Sequence, residues 1–99
     1  MQKSAETFID KYNLRTDIST RYLDLVSEIG ELGKEIIKST KYGKEDFTVN
    51  SQVVGEMGDC LFSLLALCSE LNIDAQDALC KVLTKYERRF DEKGSIGSE

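Results

Sequence analysis

Residues 56–68 read EMGDCLFSLLALC. The run from Leu61 to Cys68 is apolar on almost every side of a helix, which predicts a helix buried on most of its faces. Two carboxylates, Glu56 and Asp59, precede it by less than one turn. A carboxylate beside a core is costly unless it is paired or bound to a metal. This stretch therefore poses both questions at once: what covers the helix, and what the acids hold.

Working outward, the periodicity predicts four helices and no strand. A short first helix spans about 4–12, with Ser4 as candidate N-cap and Phe8 and Ile9 as apolar contacts. The second spans about 18–40, capped by Asp17 or Ser19. Tyr22, Leu25, Val26, Ile29, Leu32, Ile36 and Ile37 form its apolar stripe. Residues 41–49 are polar, contain Gly43 and read as a loop. The third helix spans about 50–71, with Asn50 or Ser51 as N-cap. Asp74 caps a fourth, about 75–91, whose stripe is Ala78, Leu79, Val82, Leu83, Tyr86 and Phe90, and which Gly94 ends. The tail, 95–99, is small and polar, and is expected to be mobile. Short connections imply antiparallel neighbours. The expected fold is all-α: a four-helix-type bundle, with one short N-terminal helix and three longer ones, forming a single domain over 1–99.

Composition limits the function. Forty per cent of the residues are hydrophobic and 31% charged, as in ordinary globular material. A core this small gains from oligomerisation. The net charge is -5, from 18 acids against 13 bases, which argues against a nucleic-acid backbone as partner. Histidine is absent, which excludes Ser-His-Asp and Cys-His catalysis and any His-ligated metal. Cys60, Cys68 and Cys80 match no zinc spacing and read as reduced core thiols of a cytoplasmic protein. The N-terminus resembles neither a signal nor an anchor, and the apolar run at 60–68 is short for a membrane span.

The acids form the candidate site. Glu28 and Glu31 share a helix face, and Asp24 and Glu35 extend it within an arc of about 60°. Like charges so spaced repel by a few tenths of a kcal/mol per pair, so the ridge needs a reason. Glu56 and Asp59 repeat the three-residue spacing on the third helix. Two such pairs on facing helices would make an oxygen-rich cage suited to Mg²⁺ or Mn²⁺. A solvated acidic ridge is the plainer alternative. Gly30, Gly33 and Gly58 near the acids suggest close helix approach, or room for a ligand, with close packing favoured for Gly33.

LVSEIGEL at 25–32, EMGDCLF at 56–62 and KYERRF at 85–90 together resemble the MazG-type nucleotide pyrophosphohydrolases of the all-α NTP pyrophosphatase superfamily. The family pattern, E-E-x-x-E followed at a distance by E-x-x-D, is matched by Ser27-Glu28-Ile29-Gly30-Glu31 and Glu56-Met57-Gly58-Asp59. The resemblance implies Glu28, Glu31, Glu56 and Asp59 as ligands of Mg²⁺, with Mn²⁺ as substitute. It implies Lys85 and Arg89 on the triphosphate, and Lys81 lies one turn earlier on their face. The implied reaction is hydrolysis of a (d)NTP to the monophosphate and diphosphate, as in house-cleaning of the nucleotide pool. The implied assembly is a homodimer or homotetramer. The pattern departs at Ser27, where the family has Glu. Glu28 could then act as both ligand and base, or water activated by the metal could attack without one. Phosphoribosyl-ATP hydrolysis and a non-catalytic helical module with a vestigial acidic site are the alternatives. Tyr22 and Tyr86 read as core; Tyr42 and Phe47 read as ligand or subunit contacts; Arg88 reads as surface.

Overall fold

The computed structural model describes residues 1–97; Ser98 and Glu99 of the tail lie outside the described residues. The chain forms α1 (Gln2–Lys11), α2 (Ile18–Ser39), α3 (Ser51–Glu70) and α4 (Ala75–Lys93), and the described residues contain no strand. Three caps fall where side-chain chemistry places them. The Asp17, Asn50 and Asp74 side chains accept from the backbone N–H groups of Thr20, Val53 and Asp77 at 2.7, 2.9 and 2.9 Å. Gly94 ends α4 with a left-handed φ of 74°, a conformation cheap only for glycine.

The start of α1 departs from expectation. Ser4 lies inside the helix, and Met1 is its cap without a side-chain bond. Long-range bonds set this end instead. Gln2 Nε2 donates to Ile73 O at 2.7 Å, and Gln2 Oε1 accepts from Ala75 N at 2.7 Å. One amide thus ties α1 to the α3–α4 connection. Ser69 adds a second tie by donating to Glu6 Oε1.

α2 and α3 pack against each other along an extended interface, and α1 lies on another side of α3. On α2 the covered residues are Gly33 and a series, Arg21, Leu25, Glu28, Leu32, Glu35 and Ser39, that alternates by four and three. On α3 they are Val53, Glu56, Cys60, Ser63, Leu67 and Glu70, with the same alternation. This is the spacing of a coiled-coil seam. Toward α1, α3 buries Leu65 and Ala66, opposite Ala5 and Ile9.

α4 does not fold back along α3. It leaves the hairpin and packs lengthwise on no other helix. No residue of α4 is buried, and Leu79, Leu83 and Phe90 of its stripe are exposed. The short 72–74 connection therefore did not imply an antiparallel neighbour, because Gln2 fixes its direction. The radius of gyration is 16.8 Å, against about 13 Å for a compact chain of this length.

Other expectations change for the same reason. The remaining side of α3 (Val54, Met57, Leu61 and Leu64) and its C-cap, Leu71, are uncovered, so the apolar run is only partly buried. By length and composition alone α3 could cross a membrane, although its covered faces carry Glu56, Ser63, Ser69 and Glu70. Tyr22 is exposed, as are Val26, Ile29, Ile36 and Ile37, while Tyr86 is half-buried. Cys60 is buried as expected, Cys68 is half-buried and Cys80 is exposed.

Candidate metal centre

The seam places its acids near the middle of the α2–α3 hairpin. Glu28 projects from α2, and Glu56 and Asp59 project from successive turns of α3. One carboxylate oxygen from each lies within 4.8 Å of the others. Glu28 and Glu56 are half-buried and Asp59 is exposed, so the group opens to solvent on one side. Among the described residues, no lysine or arginine pairs with any of the three.

Like charges held at this range act on Glu56. Desolvation holds the Glu56 carboxyl above its usual value, and the charges of Asp59, Glu28, Glu31 and Glu35 push it the same way. Cys60 lies beneath the group. Burial raises its thiol pKa first, and Glu28, Glu56 and Asp59 add to the rise. Cys60 is therefore a protonated core thiol and no nucleophile.

The fourth expected ligand, Glu31, is exposed and outside the convergent trio. It is still near enough for its charge to act on Glu56. Glu35 acts on Glu56 too, and its side chain pairs with Lys38 at 3.4 Å. Ser27 is exposed. A side chain added at Gly30, Gly33 or Gly58 would meet no atom within 4 Å, so close helix approach inside this chain does not explain these glycines.

The cations of α4 stand apart from the acids. Lys85 is half-buried, with its ammonium 5.4 Å from the Tyr86 ring centroid. Arg89 is half-buried, and its Nη1 donates to Ile96 O at 3.3 Å. Lys81 pairs with Asp77 at 3.0 Å, one turn earlier. Arg88 is exposed, as are Tyr42 and Phe47. Because α4 leaves the hairpin, the chain alone does not bring Lys81, Lys85 and Arg89 onto the acids.

The trio consists of hard oxygen donors, with no soft or nitrogen donor in it. That donor set fits a small divalent cation held partly by water. The family model of the MazG nucleotide pyrophosphohydrolase domain matches residues 16–93. The chain belongs to the MazG family. No curated protein and no solved structure matches it. The MazG match runs from the cap of α2 to the end of α4, so it includes both acidic pairs and the basic stretch, and only α1 lies outside it.

One buried charged residue escaped the sequence reading. Arg21, on the covered face of α2, is only 7% exposed and approaches Glu70 of α3. Its signal was present: Arg21, Glu28 and Glu35 recur every seven residues, the period of one seam position.

Proposed function

We propose that this MazG-family chain is a Mg²⁺-dependent nucleoside triphosphate pyrophosphohydrolase, with Mn²⁺ as a working substitute. The observation that carries the reading is the convergence of Glu28, Glu56 and Asp59, with which no lysine or arginine pairs among the described residues. Glu31 completes the ligand set from the rim. A bound Mg²⁺ supplies Lewis-acid polarisation of a phosphoryl oxygen and a lowered pKa for the attacking water.

The chain's own residues do the rest. Glu28 orients water against the α-phosphorus and receives its proton. The new P–O bond forms as the α–β bridging bond breaks, and the electron pair leaves with diphosphate. Lys85 and Arg89 hold the departing phosphates, Arg89 by two parallel hydrogen bonds, with Lys81 beside them. The products are (d)NMP and diphosphate, consistent with removal of unwanted nucleotides from a cytoplasmic pool.

The functional unit is a homodimer or homotetramer of single-domain chains. Two uncovered apolar stripes support this, one on α3 and one on α4. The distance of α4 from its own acids supports a site completed by a second copy. The test is diphosphate release from a panel of (d)NTPs and phosphoribosyl-ATP with Mg²⁺, comparing wild type with Glu56→Ala. Release from a (d)NTP that is lost in the variant is expected. Turnover of phosphoribosyl-ATP alone would reassign the substrate, and no metal-dependent release from any compound would refute the activity.

A further inference from the structure

The α2–α3 seam contains two kinds of layer. Leu25, Leu32, Val53, Cys60 and Leu67 are apolar. Arg21, Glu28 and Glu35 on α2, and Glu56, Ser63 and Glu70 on α3, are polar and recur every seven residues. A seam with this period has a weakness. Sliding one helix by a heptad, about 10 Å, brings apolar layers opposite apolar layers again. The connection gives little protection. Residues 40–50 form a long loop whose recorded bonds reach only nearby residues, such as Tyr42 N to Ile37 O, Glu45 N to Thr40 O and Lys41 to Glu45. A two-residue turn would pin the register; this loop can absorb a slip.

One polar layer breaks the degeneracy. Arg21 Nε lies 3.9 Å from Glu70 Oε1, the one ion pair among the described residues that joins α2 to α3. Both atoms are shut off from solvent, and neither has a hydrogen bond elsewhere. The guanidinium is held from the other side, where Arg21 Nη2 donates to Leu14 O. Arg15 Nη1 stands 3.8 Å from the same Glu70 oxygen. A one-heptad slip would bring Arg21 opposite Ser63, or carry it past the end of α3, and strand Glu70. Each shift leaves a desolvated charge without its partner.

We propose that Arg21 and Glu70 are positioning residues whose pairing selects the observed α2–α3 register, in which Glu28, Glu56 and Asp59 converge. They touch neither metal nor substrate. They act by making every other alignment of the seam costlier, as a polar seam residue fixes register in a coiled coil. The link to metal binding rests on the proposed function above; the register itself does not.

The test uses the full chain, metal-free, with Arg21→Met and Glu70→Leu combined. Removing both charges avoids stranding either, so this variant is expected to fold and to melt no lower than wild type. Inter-helix nuclear Overhauser contacts between methyl groups of α2 (Leu25, Leu32) and α3 (Val53, Leu67) report the register. Wild type should give one contact set; the variant should give a second set displaced by a heptad, or a mixture. Calorimetry with Mn²⁺ alone should show at least tenfold weaker binding for the variant. A control, Leu65→Ala, on the face of α3 turned toward α1, should lower the melting temperature and leave the α2–α3 contact set unchanged. A folded Arg21→Met/Glu70→Leu chain with the wild-type contact set overturns the proposal. So does a control that shifts register as much as the charge-free pair does. Absence of Mn²⁺ binding by wild type would count against the proposed function alone, because the contact sets still decide the register.

Discussion

Glu56 illustrates how a single carboxyl senses its neighbours. Its folded-state pKa is raised, by desolvation first and then by four acids. A raised carboxyl contributes stability below its unfolded pKa and loses that contribution as pH rises through its folded pKa. Metal-free Glu56→Gln should therefore melt above wild type at neutral pH, and the gap should close as pH falls below the ordinary glutamate range. Thermal melts across pH check this, and a constant gap would show that the charge is not the cause. Metal and proton compete for the same oxygens, so Mn²⁺ affinity should fall as pH drops through that raised value. Ser27 supports a different prediction. If the family's Glu at this place serves as the base, Ser27→Glu should raise the rate of diphosphate release at least tenfold, within the range of general-base catalysis. An unchanged rate would leave Glu28 as the base. At this scale the acids were legible because type and spacing announce them. Arg21 was not, since an isolated arginine reads as surface until its partner Glu70, far away in sequence, is in place.

Among elements, legibility followed the range of the interaction that sets each one. Asp17, Asn50 and Asp74 each bond a backbone N–H three residues on, so sequence suffices to find them. Asn50→Ala should cost about 1 kcal/mol, read from denaturant unfolding, with the N-terminus of α3 fraying first. The beginning of α1 was not legible, because Gln2 bonds to Ile73 and Ala75 across most of the chain's length. Helix α4 was legible as a helix. Its place was not, since amphipathicity says that a face must be covered and not by which chain. The same ambiguity explains why Tyr22 and Cys80, assigned to the core, are exposed.

For the whole molecule, the expanded shape and the bare stripes of α3 and α4 pose a problem of solubility as much as of catalysis. Exposed apolar surface on this scale is unusual for a monomer. Light scattering should give a multiple of the 11.2 kDa chain mass, and the melting temperature should rise with protein concentration. Leu83→Glu, on the uncovered stripe of α4, should shift the mass toward a single chain and lower diphosphate release with it. A monodisperse 11.2 kDa wild type that is fully active would rule out the shared site.

The loop between α2 and α3 has a consequence of another kind. All of residues 41–50 are exposed, and Glu28 stands on one side of them while Glu56 and Asp59 stand on the other. The acids meet because two helices lie together, not because the backbone runs from one to the next. Covalent continuity there is dispensable in principle. A peptide inserted at Gly43, or a protease nick beside it, changes the wiring of the chain and leaves the shape of its acidic cluster alone.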